Sequence, residues 1–236
     1  MGVPDKGKAR VEAMFDDIAP RYDLLNRVLS FGIDRSWRRE AVDLLRHERP
    51  ARILDVATGT GDLAVEALRL DPKKIVGVDL SERMLALAKE KVARLGESKR
   101  VEFRQADAAR LPYSDRQFHA VFIAFGARNF EDLHRCLVEI RRVLRPGGTL
   151  VVLEFGKPAH FPVKQLYSLY TSHVLPRVGS ALSHNDDAYR YLPETIATFP
   201  YGDAFLEHMH KAGYEGLLCR ELTLGIALLY RGAVPA

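Results

Sequence analysis

The chain has 236 residues, with 35 Lys and Arg against 31 Asp and Glu for a formal net charge of +4, 28% charged residues and 47% hydrophobic ones. These proportions are globular and exclude a disordered or collagen-like chain, and two cysteines, Cys136 and Cys219, cannot build a disulfide framework or a four-ligand zinc site. No apolar run approaches the roughly 18–20 residues that span a bilayer, and the charged stretch Met1–Arg10 has no apolar signal-peptide region, so a cytoplasmic address is expected.

Residues 1–49 read as helical, with Trp37 and the segment Tyr22 to Arg39 ahead of the first strand. Arg52-Ile53-Leu54-Asp55-Val56 is a short apolar, β-branched run that ends at a Gly/Thr turn, the pattern of a buried strand. Asp62 to Leu70 reads as a helix, and Lys74 to Val78 as a second strand ending at Asp79. Ser81 can cap the next helix, Glu82 to Leu95, where Met84, Leu85, Leu87, Ala88, Val92 and Leu95 make a broad apolar stripe. Val101 to Phe103 and His119 to Ile123 are the third and fourth strands. A helix over Leu133 to Leu144 should stop at Pro146-Gly147-Gly148, before a fifth strand at Thr149 to Leu153. Residues 157–200 are rich in Pro, Tyr and His and read as helices and loops inserted over the carboxyl edge of the sheet. A helix from Asp203 to Ala212 follows, then an antiparallel hairpin of Gly216 to Thr223 and Ile226 to Tyr230.

Strands and helices alternating at this spacing imply an α/β fold, a doubly wound, mostly parallel seven-stranded sheet with helices on both faces. One domain is expected over 1–236. It comprises a helical cap (1–49), a ligand-binding core (50–156), a helical and loop insertion (157–200) and a C-terminal helix with its hairpin (201–236).

The loop from Asp55 to Ala64 follows a strand and opens a helix. Gly59 and Gly61 allow a tight turn and close backbone approach to a ligand, with Thr60 between them. Asp79 ends the second strand, where a carboxylate can accept both ribose hydroxyls. Gly59-x-Gly61-x-x-Ala64 also satisfies a dinucleotide pattern, but Asp55 and Asp62 bracket the loop and would repel a pyrophosphate. S-adenosylmethionine (SAM) has a sulfonium, an amino group and a ribose and no phosphate, so Asp55 suits its amino group and Asp79 its ribose. After the third strand, Asp107 can bond an adenine amino group while Ala108 offers its backbone N–H to a ring nitrogen. Three strand ends thus supply polar anchors to one crevice, and residues 50–155 resemble the class I SAM-dependent methyltransferases.

Two further segments narrow the resemblance. Tyr22-Asp23-Leu24-Leu25-Asn26-Arg27-Val28-Leu29-Ser30 with Trp37, and Arg142 to Gly148 running on to Leu153-Glu154-Phe155, resemble the two signatures of the ubiquinone/menaquinone biosynthesis C-methyltransferases. Phe125 to Phe130, His173 to Ser180 and Tyr189 to Leu192 are similar to the same family. Leu25, Asp34, Ala124 and Gly156 depart from it, standing where Met, His, Ser and Ser are usual. The Ala124 departure removes a hydroxyl contact from the cofactor site but leaves its backbone. The resemblance implies methyl transfer from SAM to a ring carbon of a polyprenylated hydroquinone, either demethylmenaquinol or a ubiquinol precursor, with S-adenosylhomocysteine (SAH) as the second product.

An aromatic carbon becomes nucleophilic when the adjacent hydroxyl ionises. Bringing a phenol from about 10 to about 7 requires roughly 4 kcal/mol of anion stabilisation, much of which one water-excluded cation can supply. Arg128, just past the fourth strand, is the candidate cation; its structural alternative is a salt bridge to Glu131 or Asp132. His173 is the candidate general base, with Glu154 as an alternative. Tyr170 and Tyr191 could orient the ring. No metal is needed, and His184 beside Asp186 and Asp187 reads as a solvated loop. Phe161, Leu166, Tyr167, Leu169, Tyr170, Val174, Leu175 and Leu182 could line a groove for the prenyl tail. Arg10, Arg21, Arg27, Arg35, Arg38 and Arg39 could dock the N-terminal helices peripherally at the inner face of a membrane. No nucleic-acid partner is expected, and the oligomeric state is left open.

Overall fold

The structure, a computed structural model, describes residues 6–170 and 186–236. Seven strands form one sheet in the order β3-β2-β1-β4-β5-β7-β6. They are β1 (Arg52–Val56), β2 (Lys74–Asp79), β3 (Val101–Gln105), β4 (Phe118–Ala124), β5 (Leu144–Phe155), β6 (Glu215–Leu222) and β7 (Ala227–Ala233). β7 runs antiparallel to both its neighbours, and every other pairing is parallel. The strands are apolar because helices cover both faces; Ile53, Leu54, Ile75, Val121 and Val152 are almost fully buried.

α4 (Asp62–Ala67) and α5 (Glu82–Arg94) pack on one face with α3 (Asp34–Asp43), and α6 (Leu133–Val143) and α9 (Asp203–Lys211) on the other. Ser81 caps α5 by accepting from the Met84 N–H (3.1 Å), and Asp132 caps α6 by accepting from the Arg135 N–H (2.9 Å). α1 (Lys8–Ile18) and α2 (Tyr22–Leu29) precede α3, joined by a 3₁₀ turn at Ala19–Arg21. α7 (Val163–Leu169) and α8 (Asp186–Thr198) belong to the insertion.

The largest boundary difference from expectation is at the start of β5. Pro146-Gly147-Gly148 does not end a helix but lies inside β5, which begins at Leu144 in extended conformation. A proline disfavours the helical region for the residue before it, so the chain is already extended at Arg145. Leu144 pairs with Phe118 and Thr149 with Ala120, so the Pro-Gly-Gly stretch is accommodated as an irregularity in the pairing.

β1 stands between β2 and β4, whose connections leave in opposite directions. This is the topological switch point, and the carboxyl ends of β1, β2, β3 and β4 open there onto a crevice.

Candidate active site

Gly61 takes a left-handed φ of 79° at the start of α4, and a Cβ there would lie 2.9 Å from the Phe103 ring. Its glycine is therefore required by the turn and by the packing of Phe103 beneath it. Gly59 also has a left-handed φ, 55°, but its Cβ position is open, with Tyr22 nearest at 3.8 Å. The Gly59 N–H donates to Asp79 Oδ2 (2.8 Å) and the Ser81 N–H to Asp79 Oδ1 (3.0 Å), which fixes the carboxylate at the end of β2. Burial raises the Asp79 pKa against the pull of these backbone donors.

Asp79, Asp107 and Ala108 line a cavity of about 320 Å³ with Val56, Ala106 and Asn129. Asp107 accepts from the Ala109 N–H (2.9 Å) and pairs with Lys8 of α1. Gly59, Asp79 and Ala124 line a smaller adjoining cavity that shares Val11, Leu80 and Asn129 with the first. α1 lies across both. The Ser81 hydroxyl donates to Asp16 Oδ1 (2.5 Å), Arg83 Nη1 donates to the Asp16 carbonyl (3.1 Å) and Gln105 Nε2 donates to Glu12 Oε1 (3.3 Å).

The polar side chains of the loop itself are turned to partners within the protein. Asp55 is buried under the loop and accepts from the Thr58 hydroxyl (2.5 Å); burial pushes its carboxyl up to about 7. The Thr60 hydroxyl donates to Asp23 of α2 (2.5 Å). Asp62 pairs with Lys91, which also donates to Asp23 Oδ2 (2.8 Å). The loop's acidic flank is thus compensated by the chain's own cations, and it ties α2 to α5.

A third cavity, about 420 Å³ and mostly apolar, lies beside these between the N-terminal helices and the insertion. Phe15, Tyr22 and Phe125 line both it and the smaller cofactor-side cavity. The 3₁₀ turn Ala127–Asn129 after β4 divides the two sides, with Arg128 facing the apolar cavity and Asn129 facing the crevice. Asn129 Oδ1 is buried without a hydrogen bond there, a contact that sequence reasoning missed although the residue adjoins Arg128. Tyr170 and Tyr191 also line the apolar cavity, with Leu166 and Tyr167. His173, His184, Val174, Leu175 and Leu182 lie outside the described residues.

Arg128 is 6% exposed, and its partner is neither Glu131 nor Asp132. Its Nη1 donates to Glu154 Oε1 (2.9 Å) and to the Phe125 carbonyl, while its Nε is buried without a partner. Glu154, 1% exposed, also accepts from the Arg128 and Phe155 N–H groups (3.2 and 2.9 Å), so it is held as the counter-ion of Arg128 and not poised as a base. The Arg128 guanidinium sits 5.3 Å from the Phe155 ring centroid, and Phe155 stacks on Phe125 at 4.6 Å. Trp37 packs against both rings and donates from Nε1 to Thr223 Oγ1 (2.8 Å).

Two of the arginines assigned to a lipid surface turn inward or sideways. Arg38 is buried against Asp34, and Arg39 lies 3.5 Å from Glu66.

A family model of the ubiE/COQ5 methyltransferases matches residues 4–234. The chain belongs to the ubiE/COQ5 methyltransferase family. It is 46% identical over 226 residues to a demethylmenaquinone methyltransferase of Bacteroides fragilis, an alignment covering 95% of this chain and 92% of the relative. It is 46% identical over 230 residues to a ubiquinone/menaquinone biosynthesis C-methyltransferase of Geotalea daltonii, covering 97% of each. Among solved structures, a SAM-dependent methyltransferase of Thermotoga maritima shares the fold, with a TM-score of 0.65 at 22% identity over 94% of this chain and 98% of that one. The methyltransferase uses SAM, and the crevice suits it. A fixed carboxylate stands at the second strand end, a second polar anchor at the third, and the glycine loop carries no cation for a pyrophosphate.

Proposed function

We propose that this methyltransferase methylates demethylmenaquinol, a prenylated 1,4-hydroquinone, at the ring carbon beside its prenyl-bearing carbon. The observation that carries the reading is the apolar cavity adjoining the cofactor crevice, with Arg128 buried in the wall between them. The name of the Bacteroides relative supports it.

Asp79 is proposed to hold the SAM ribose, Asp107 and Ala108 the adenine, and Gly59, Gly61 and Ala124 to line the path of the methionine portion. Asp55 and Thr60 act behind them by holding Thr58 and Asp23. Arg128, at the wall of the acceptor cavity with one guanidinium nitrogen left unpartnered, lowers the cost of ionising the acceptor oxygen, and the packed Phe125, Phe155 and Trp37 rings exclude water, which strengthens that interaction. His173 is proposed to take the phenolic proton. SAM supplies an electrophilic methyl: the ring carbon forms the new C–C bond as the C–S bond breaks and its electron pair stays on sulfur, leaving SAH. Loss of the proton from that ring carbon restores the aromatic quinol.

The test is purified protein with SAM and demethylmenaquinone of varied tail length, read by mass spectrometry. Product should form only from the reduced ring, because the oxidised ring has no hydroxyl to ionise. Equal rates on a substrate held oxidised would sink the mechanism, and no product from either form would sink the assignment.

Peripheral membrane contact is part of the same proposal. Phe31, Phe161, Leu166, Leu169 and Leu224 are all more than half exposed. Phe31 and Leu166 also line the acceptor cavity. A tail longer than the cavity leaves by this rim, and a bilayer is the apolar medium that would receive it. No helix among the described residues is long and apolar enough to cross a membrane. Phe31→Ser with Leu166→Ser should reduce cosedimentation with anionic phospholipid vesicles; unchanged binding would move the contact elsewhere.

A further inference from the structure

A buried ion pair stands in the wall of the apolar cavity and has no part in the chemistry above. Asp34, at the start of α3, is 7% exposed, accepts from the Ser30 hydroxyl (2.7 Å) and pairs with Arg38 one turn along, itself 7% exposed. All three line the cavity. Burying such a pair costs desolvation, and apolar residues of the same size usually serve a fold as well or better. Arg38 also lies 3.8 Å from Asp62 and over the Phe125 ring, but neither contact requires an acid at position 34.

The cavity therefore carries two polar poles of opposite character. Arg128 offers only donors and lies next to the cofactor crevice. Asp34 adds a carboxylate, which only accepts, and follows directly on Phe31 and Ile33 at the exposed rim. The acceptor quinol is unsymmetrical in the matching sense. One hydroxyl neighbours the carbon to be methylated and must lose its proton. The other neighbours the tail-bearing carbon and keeps its proton throughout.

We propose that Asp34, held by Ser30 and Arg38, accepts a hydrogen bond from the hydroxyl beside the prenyl tail and so sets which way round the ring enters. The inference rests on the proposed quinol acceptor. With the tail at the rim, the hydroxyl beside it falls at Asp34 and the reacting carbon is turned inward toward the methyl donor. Asp34 stays ionised under working conditions, because the Ser30 and Arg38 donors outweigh its burial and lower its pKa.

The test compares demethylmenaquinol with 3-prenyl-1-naphthol, which keeps the ionisable hydroxyl and the tail and lacks only the second hydroxyl. Wild type should prefer the diol in kcat/KM by about ten- to a hundredfold, the span of a hydrogen bond to a charged group. Asp34→Asn should lose most of that preference, mainly through KM. Arg38 can only donate, so it fixes the amide oxygen on itself and the acceptor is lost. Ser30→Ala should move in the same direction by less, and it carries the test if Asp34→Asn does not fold. A merely structural role would lower both substrates together and leave their ratio intact. An intact ratio in both variants, or no preference in wild type, overturns the assignment of Asp34. If wild type methylates neither compound, the quinol reading itself fails.

Discussion

Arg128 holds Glu154 through Nη1 while its buried Nε has no partner, so deletion cannot separate stability from catalysis at this residue. Arg128→Leu would strand a buried carboxylate, a loss of about 3–5 kcal/mol. Arg128→Lys keeps the charge on Glu154 but loses the planar fork. It should lower kcat by about ten- to a hundredfold while SAM affinity stays near wild type. Measuring kcat, calorimetric affinity and melting temperature on one preparation checks this, and near-normal turnover would make Arg128 structural alone. Asp55 offers a pH signature. Its folded-state pKa of about 7 exceeds the ordinary value of about 3.9, so the folded state keeps a proton that the unfolded state has released between these values. The contribution to stability is full below pH ~4 and falls as pH rises through about 7. Asp55→Asn cannot ionise and keeps an acceptor for Thr58. Its stability relative to wild type should rise between about pH 5 and 8, by on the order of 2–4 kcal/mol. Urea unfolding of both proteins across that range reads the difference, and parallel curves would count against it.

At the scale of elements, α1 is tied over the cofactor crevice by Asp16 to Ser81 and Arg83, Glu12 to Gln105, and Lys8 to Asp107. Asp16→Ala removes the tie to the Ser81 hydroxyl and leaves the Arg83 contact with the Asp16 carbonyl and the Ser81 cap on α5. It should speed both association and dissociation of SAM with little change in melting temperature; biosensor kinetics would show unchanged rates if α1 does not gate the crevice. The elements themselves were largely readable from sequence. Buried parallel strands are apolar runs that stop at Gly or Asp, and β1 and β2 stop where those runs do. The start of β5 was not readable, because Pro-Gly-Gly signals a stop and the pairing that absorbs it involves Phe118, far back in the chain. In the site, Asp79, Asp107 and Arg128 follow strand ends, a position that spacing reveals. Spacing does not reveal facing. The Thr60 hydroxyl turns to Asp23, and Glu154 turns to Arg128, because partners 37 and 26 residues away compete for them. Asp34 with Arg38 was not singled out as a pair, since nothing local marks the wall it belongs to.

For the whole molecule, the crevice draws on α1 and the ends of four strands, so a bound cofactor should tie the helical cap to the sheet. SAH at about a hundred times its dissociation constant should add ~2.7 kcal/mol to unfolding stability and slow proteolysis within α1. Stabilisation without protection of α1 would detach that helix from cofactor binding.

The 3₁₀ turn Ala127–Asn129 shows its two faces to two chambers of different origin. The donor side is built mainly from strand ends and the loops that follow them, parts that the sheet requires. The acceptor side is built largely from α1, α2, α3, α7 and α8, none of which contributes a strand. The molecule is modular along this partition. Exchanging α2, α3, α7 and α8 for those of a relative with a different acceptor should transplant preference for the acceptor, provided that α1, which also lines the donor side, and Phe125 to Asn129 stay with the sheet as the common seam.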